Sequence, residues 1–207
     1  MKNSPLLTLS FFFVFLLAGA TTMASNTEQP KYQTLEKNGN IEIRRYQPMI
    51  MAVTYSSRGG GFQQLAGYIF GGNESNQKIA MTAPVANQAT DEGWQTAFMM
   101  PSQYQLTDLP EPESDNIQFI EVPARTMAVI VFPGWVNRSS VNKNRQALQD
   151  YLQEQGIETE GEPIINQYND PWTPAARRTN EIQLQLSGEA HWAPASTDAR
   201  QETAAAM

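Results

Sequence analysis

Few residues of this chain have the type and spacing that covalent catalysis needs. The 207 residues include no cysteine and one histidine, His191, near the C-terminus. No serine stands in a Gly-x-Ser-x-Gly turn, and Gly59–Gly61 lacks the Lys-Ser or Lys-Thr pair that completes a phosphate-binding loop. The clustered acids, Asp91-Glu92 and Glu111 with Glu113, stand in polar loops, where such side chains are normally solvated. The sequence therefore predicts a protein that is not an enzyme.

The first 24 residues have the pattern of a secretory signal. Lys2 is followed by an almost wholly apolar run from Leu6 to Ala18, and Thr22-Met23-Ala24 offers small side chains at the spacing that a signal peptidase reads. The run is short for a membrane span, which takes about 20 apolar residues. We expect cleavage after Ala24 and an exported protein, periplasmic or secreted, with no membrane span once the signal is removed.

Charge and cysteine content narrow the partners of the mature chain. Removing residues 1–24 takes away one basic residue, Lys2, and leaves 13 basic against 21 acidic side chains, a net charge of −8. Such a surface repels phosphate backbones, so nucleic acid is not an expected partner. An exported chain without cysteine forms no disulfide and depends on its apolar core. The oligomeric state is left open.

A short segment of the chain occurs twice. Ile41–Tyr55 aligns without a gap on Ile117–Val131, and both copies contain the tripeptide Met-Ala-Val. In each copy a short alternating run is interrupted near a proline, Pro48 or Pro123, before a longer apolar run. Proline cannot donate a ladder hydrogen bond, so it suits a bend between two strand segments. The coincidence predicts a duplicated unit of strand, helix, strand and strand.

Periodicity predicts the same elements in both copies, which span about residues 40–101 and 116–187. The predicted strands are Ile41–Tyr46, Met49–Tyr55, Ile79–Val85, Trp94–Met100, Ile117–Val122, Met127–Phe132, Pro163–Tyr168 and Glu181–Leu186; the predicted helices are Phe62–Phe70 and a segment capped by Ser139 or Ser140 that ends at Gly156. Two such units need a shared sheet, because each alone buries only one face. We predict one α+β domain over residues 25–187, an antiparallel sheet curled into an open or closed barrel with both helices outside. Residues 188–207 are predicted to be a disordered tail.

Two long motifs stand out, one in each copy. Lys78–Val85 reads Lys-Ile-Ala-Met-Thr-Ala-Pro-Val, and Tyr168–Pro174 reads Tyr-Asn-Asp-Pro-Trp-Thr-Pro and leads to Arg177–Glu181. With Ile41–Tyr46 and Gly71-Gly72-Asn73, they resemble the SOUL haem-binding family from about Tyr32 to Leu186. The resemblance implies a distorted antiparallel β-barrel of two βαββ repeats, and a non-enzymatic protein that binds haem or a related tetrapyrrole.

The resemblance also implies where the ligand binds, on a shallow apolar surface beside the first helix and near the loop before the last strand. The residues expected to contact a tetrapyrrole in this chain are Phe62, Leu65, Tyr68, Ile69, Trp172, Arg177 and Arg178. The arginines would pair with propionates through their forked N–H donors.

Each of these residues has a structural alternative. The stripe of Phe62, Leu65 and Ile69 has the helical spacing of core residues, whereas Tyr68 lies off it and is the better pocket candidate. Trp172 can cover a pocket or clasp the end of the barrel. The arginines can instead be solvated or form an ion pair with Glu181.

The iron ligand is unknown from the sequence. Some family members are thought to use a histidine near the first helix, but His191 lies beyond the last predicted strand. Met81 could offer a thioether, although its place on a predicted strand favours the core. Tyrosine or methionine coordinates the iron, or haem binds without a protein nitrogen, or the ligand is not haem.

Two other functions are compatible with the same architecture. Gyrase-inhibitor-like effector-binding domains take up small apolar or cationic molecules, usually against a buried carboxylate, for which Glu181 is the best candidate. The other is an envelope interaction protein without a ligand.

Overall fold

Nine antiparallel strands and two α-helices are formed by residues 27–57 and 61–188, which are the residues that the computed structural model describes. The strands are β1 (Tyr32–Asn38), β2 (Ile41–Tyr46), β3 (Met49–Ser56), β4 (Val85–Thr90), β5 (Gly93–Met99), β6 (Ile117–Val122), β7 (Arg125–Phe132), β8 (Thr159–Gln167) and β9 (Asn180–Leu186), and the helices are α1 (Gly61–Ile69) and α2 (Arg138–Glu154). The predicted signal, His191 and nearly all of the predicted tail lie outside the described residues. Neither α1 nor α2 is long and apolar enough to cross a membrane.

The duplicated segment corresponds to a duplicated structure. β2 and β3 lie on the same aligned positions as β6 and β7, 76 residues apart at every boundary. The strand order is β1-β2-β7-β9-β8-β4-β5-β3-β6. In the part of this order from β2 to β6, each strand can be replaced by its counterpart in the other copy: β2 by β6, β3 by β7, β4 by β8 and β5 by β9. The result is the same order read backwards, which indicates a pseudo-twofold axis between β8 and β4. The prediction of an α+β fold made of two βαββ units is confirmed.

The repeated Met-Ala-Val tripeptide shows how each helix packs on the sheet. Ala52 and Ala128 are fully buried, Ala52 in the apolar cluster that contains Leu65 of α1 and Ala128 in the cluster that contains Leu148 of α2. Successive side chains on a strand point to opposite faces, so the flanking methionines and valines face away from the helices. The small alanine side chain lets each helix lie close to its strand, and both helices cover the same face.

The other face of the sheet curls around a cavity. Each of the strands β2 to β9 contributes at least one residue to its lining. Tyr46 of β2 and Ile120 of β6 are among them, although they come from opposite ends of the sheet. Strands from distant places in the order can line one cavity only if the sheet is strongly curved. The edge strands β1 and β6 do not pair with each other, so the barrel is distorted and open.

Three predicted details of secondary structure are wrong or incomplete. The strand predicted at Ile79–Val85 is irregular chain, because Ile79 packs beneath α1 and its N–H donates to the carbonyl of Ile69 at 2.8 Å. The strand begins where that prediction ended, at Val85–Thr90 between β5 and β8. The edge strand β1 was not predicted, because its mostly exposed side chains give no apolar alternation. The cap of α2 is Asn137, whose side chain accepts from the Ser140 N–H.

Candidate functional site

A groove of about 920 Å³ lies between α1 and the loop that joins β8 to β9. This volume is within the range of small-molecule sites, which is about 300–1,000 Å³. Its walls combine apolar and polar side chains. The apolar ones are Phe62, Phe70, Met81, Val85, Trp135 and Val136, and the polar ones include Gln63, Asn87, Thr96, Tyr168, Asn169, Asp170 and Arg178. The groove is therefore where the resemblance implied a ligand site, beside the first helix and the last loop.

Three aromatic side chains of the groove are exposed to solvent. Phe62 is 45% exposed, Phe70 65% and Trp135 56%. Phe62 lies in the first turn of α1 and packs edge-on against Phe98, with ring centroids 5.4 Å apart. Phe70 directly follows α1, where Gly71 adopts a positive φ of 115° and ends the helix. Three of the seven large apolar residues that are exposed within residues 27–57 and 61–188 thus line one groove.

Arg178 fixes the loop wall of the groove. Its guanidinium lies 3.9 Å from the centroid of the Trp135 ring, and Nη2 donates to the carbonyl of Pro171 at 2.7 Å. The Nε atom is buried without a hydrogen-bond partner. The loop is further held by Asn169, whose side chain accepts from the Thr179 N–H at 2.6 Å. Arg178 therefore supplies positive charge to the groove and orients Trp135 at the same time.

The structure brings together two of the seven predicted contact residues, Phe62 and Arg178. Leu65, Tyr68 and Ile69 are at most 1% exposed and belong to the core under α1. The Tyr68 hydroxyl donates to the carbonyl of Pro110 at 2.9 Å, and burial raises the pKa of this phenol to about 12. These three side chains support α1 from below and do not line the groove.

Trp172 and Arg177 lie outside the lining of the groove. Trp172 is 89% exposed at the tip of the β8–β9 loop, and Arg177 is exposed in the short 3-10 helix that follows. Asp170 shapes the tip, because its Oδ1 accepts from the N–H groups of Trp172 and Thr173 at 2.9 and 2.8 Å. The pairing of the arginines with Glu181 is not formed, since Arg178 packs on Trp135.

Sequence reasoning missed Phe70 and Trp135 as groove residues. Both stand at the ends of regular elements, Phe70 after α1 and Trp135 between β7 and α2. A large aromatic residue next to a glycine at an element boundary, as in Phe70-Gly71 and Gly134-Trp135, was the available signal. Which of them would be exposed depended on how the two copies pack together.

The carboxylate of Glu181 is buried at 3% exposure and fully engaged. Its Oε1 accepts from Arg44 Nη1 at 2.8 Å, and its Oε2 accepts from the Tyr168 hydroxyl at 2.8 Å and from Gln183 Nε2 at 2.9 Å. Burial and then the Glu181 charge raise the pKa of Tyr168 above its ordinary value and that of Tyr46 to about 12, so both phenols stay protonated.

Arg44 neutralises this buried network. Its Nε donates to Oε2 of Glu42 at 2.7 Å, and the Lys37 Nζ donates to Oε1 of the same carboxylate at 2.7 Å. Burial alone would lower the pKa of Arg44, but Glu181 and Tyr46 raise it above its ordinary value, so the guanidinium is charged. The two carboxylates and two cations balance, and Glu181 offers a cationic ligand no free charge.

The groove offers apolar walls, and the described residues include no histidine. They also contain no group of three or more His, Cys, Asp or Glu side chains that could hold a metal ion. Met81 is half-buried, packs against the core under α1 and lines the groove, which places one thioether among the lining side chains.

Comparison with known proteins decides the family. The sequence profile described as SOUL heme-binding protein matches residues 27–185. The chain belongs to the SOUL haem-binding family. Human heme-binding protein 2 is 30% identical to this chain over 190 residues, which cover 81% of this chain and 90% of the human protein.

Solved structures with much lower sequence identity share the fold of this SOUL-family chain. The C-terminal domain of EcmrR has a TM-score of 0.53 at 14% identity and covers 75% of this chain and 98% of that domain. A hydrolase from Listeria innocua has a TM-score of 0.54 at 8% identity and covers 74% of this chain and 94% of its own. At these identities the likeness extends to the fold alone.

Proposed function

We propose that this protein is an exported, non-enzymatic carrier or sensor of haem or a related tetrapyrrole, which binds in the groove beside α1. The observation that carries the proposal is the set of three exposed aromatic side chains, Phe62, Phe70 and Trp135, along one groove of a SOUL-family chain. Exposed apolar surface gathered in a concavity marks a binding site. A flat ligand with a large apolar face matches it.

The apolar contacts account for useful affinity. Burying one aromatic or aliphatic side chain is worth about 1.5–3 kcal/mol, and micromolar affinity corresponds to about 8 kcal/mol. Three aromatic contacts with Met81 and Val136 reach this range before the cost of association is subtracted. The groove supports weak to moderate binding, as expected of a protein that collects or hands over its ligand.

The side chains of the groove divide the work of holding haem. Phe62 and Trp135 would contact the ring faces, and Met81 would donate its sulfur to the iron. Arg178 would place its charge near the propionates while it holds Trp135 in position. Bound haem would contribute a redox-active iron, and the described lining of the groove adds the ionisable side chains of Tyr168 and Asp170.

Export is supported by the sequence of residues 1–24, which ends in small side chains after a short apolar run. Mass determination of the protein isolated from the cell envelope or medium tests this part. A mature chain that begins at Ser25 is the expected result, and an intact N-terminus in the cytoplasmic fraction contradicts it.

Titration of the mature protein with haemin, followed by the Soret band, tests the binding. We expect a saturable shift at micromolar haemin, and the absence of any shift at tens of micromolar contradicts the proposal. Arg178→Gln is expected to weaken binding several-fold, whereas its neighbour Arg177→Gln, outside the groove, should bind like the wild type. Met81→Leu should change the position of the band, and Met100→Leu, buried in the core under α1, should not.

A further inference from the structure

A second cavity, of about 220 Å³, lies inside the curl of the sheet on the face opposite the helices. It differs from the groove in its walls, which come from the strands β2 to β9, and only a few side chains, Tyr168 among them, border both spaces. In a small barrel, side chains usually fill the space at this position. In this protein the space is open.

The apolar part of the wall is adaptable. Met49, Met51 and Met99 line it together with branched side chains such as Val53 and Ile164. Methionine is flexible and polarisable, so it fits ligands of different outline. A cavity of about 150 Å³ with apolar walls holds one benzene molecule. The interior cavity therefore has room for a single ring, or a short chain, with one additional polar group.

The charge of this wall is unbalanced. Among the described residues that line it, Arg125 is the one charged residue, and none is an aspartate or glutamate. The Nε atom of Arg125 is buried without a hydrogen-bond partner, and among the described residues no salt bridge to its guanidinium is formed. Burial lowers the pKa of Arg125 from its ordinary value, although the neighbouring Tyr46 raises it, and an arginine side chain stays charged in proteins. The Arg125 side chain is half-buried, so its guanidinium is a partly buried cation without an anionic partner among the described residues.

The buried carboxylates of the sheet do not provide that anion, because each is already in an ion pair with another cation. Glu181 is paired with Arg44, and Glu42 is paired with Arg44 and Lys37. A buried charge without a partner is costly, and the cost is relieved when a ligand brings the opposite charge.

We propose that the interior cavity binds a small monocarboxylate with one apolar ring or a short chain, whose carboxylate pairs with the Arg125 guanidinium. The planar fork of arginine matches a carboxylate with two parallel hydrogen bonds. The apolar body of the ligand lies among Met51, Met99 and Ile164. This site is distinct from the groove and does not depend on haem binding there.

Three ligands of one shape test the proposal: benzoate, benzamide and benzylamine. Each is titrated into the mature protein labelled with ¹³C at the methionine methyl groups, so that Met51 and Met99 report on the cavity. We expect benzoate to shift these two signals in a saturable way and to bind at least tenfold more tightly than benzamide or benzylamine. Arg125→Gln should remove this preference, Arg125→Lys should retain part of it, and Arg145→Gln, on the exposed side of α2, should leave it unchanged.

The outcomes separate the possibilities. Equal affinity for benzoate and benzamide overturns the role of Arg125, and tighter binding of benzylamine overturns the sign of the charge. Shifts that spare Met51 and Met99 overturn the location, and no saturable shift at millimolar benzoate overturns the site itself. Thermal unfolding of each variant shows that it is folded, and if Arg125→Gln is not, the comparison with Arg125→Lys and the three wild-type titrations still decide.

Discussion

Replacing Gly61 with alanine is expected to destabilise the protein, although alanine is the better helix former. Gly61 opens α1 where the helix presses on the sheet. A Cβ atom there would lie 2.6 Å from Thr96 Oγ1, 2.7 Å from Thr96 Cβ and 2.8 Å from Thr54 Cγ2. Thr96 Cβ is bonded directly to the strand backbone and the other two atoms lie one bond further out, so none of them can move away cheaply, and such overpacking costs about 1–3 kcal/mol. The gain in helix propensity, at most about 1 kcal/mol, does not offset it.

Gly67 in the same helix is the matched control. It is exposed, and a Cβ atom there would have no neighbour within 4 Å. Gly67→Ala should stabilise the protein by about 0.5–1 kcal/mol. For a domain of this size 1 kcal/mol corresponds to about 2–4 °C in Tm. Calorimetry should therefore show a lower Tm than the wild type for Gly61→Ala, by about 2–8 °C for a net loss of about 1–2 kcal/mol, and a Tm about 1–4 °C above the wild type for Gly67→Ala.

A Gly61→Ala protein that melts at or above the wild-type temperature would refute the close contact between α1 and the two threonines. The contact also bears on the groove, since Phe62 follows Gly61 and its position depends on where the helix begins. The same variant should accordingly bind haemin more weakly, while Gly67→Ala should bind it as the wild type does.

Three further predictions concern the buried polar groups and a helix cap. Glu181→Gln leaves part of the Arg44 charge unpaired and should cost about 3 kcal/mol in urea unfolding, whereas Glu160→Gln, at an exposed site, should stay within about 0.5 kcal/mol. The raised pKa of Tyr68 means that its stabilising contribution is complete below pH 10 and is lost as the pH rises toward about 12, so Tyr68→Phe should show a shallower alkaline loss than the wild type. Asn137→Ala should cost about 1 kcal/mol through loss of the α2 cap.

Each of these has a contrary outcome that is easy to recognise. Equal costs for the two glutamate substitutions would mean that the buried network contributes no more than a surface group. If the stability of the wild type and that of Tyr68→Phe fall in parallel between pH 9 and 12, ionisation of the buried Tyr68 phenol is not a cause of the alkaline loss of stability. An Asn137→Ala protein of unchanged stability would show that Ser140 alone caps the helix.

The fold was predictable where local pattern and tertiary environment agree. The strands of the duplicated segment were predicted almost to the residue, because the continuous apolar runs of β3 and β7 belong to strands with both faces buried or half-buried. The Ile79–Val85 strand was misplaced because its apolar side chains pack under α1 from an irregular segment. β4 was missed because it lies within the sheet but carries polar residues such as Asn87 and Gln88, which border the groove and the interior cavity.

The site was predictable only as a region. The resemblance implied a ligand beside α1 and the loop between β8 and β9, where a groove is found, and Phe62 and Arg178 line that groove. Tyr68 appeared to lie off the core stripe, but α1 is so deeply seated that this side of it is buried as well. Trp135 could not be assigned, because its exposure and its contact with Arg178 arise from two loops of the second copy that meet only in the folded protein. Arg125 gave no local signal, since a missing partner is a property of the whole interior.

The affinity for haemin of Trp135→Ala relative to Trp94→Ala tests the central claim most directly. Both residues are exposed tryptophans, 56% and 43%, but only Trp135 lines the groove. Loss of one aromatic contact is worth about 1.5–3 kcal/mol, so the dissociation constant of Trp135→Ala should rise at least tenfold while that of Trp94→Ala matches the wild type. Equal constants for the two variants would contradict a tetrapyrrole site in the groove beside α1.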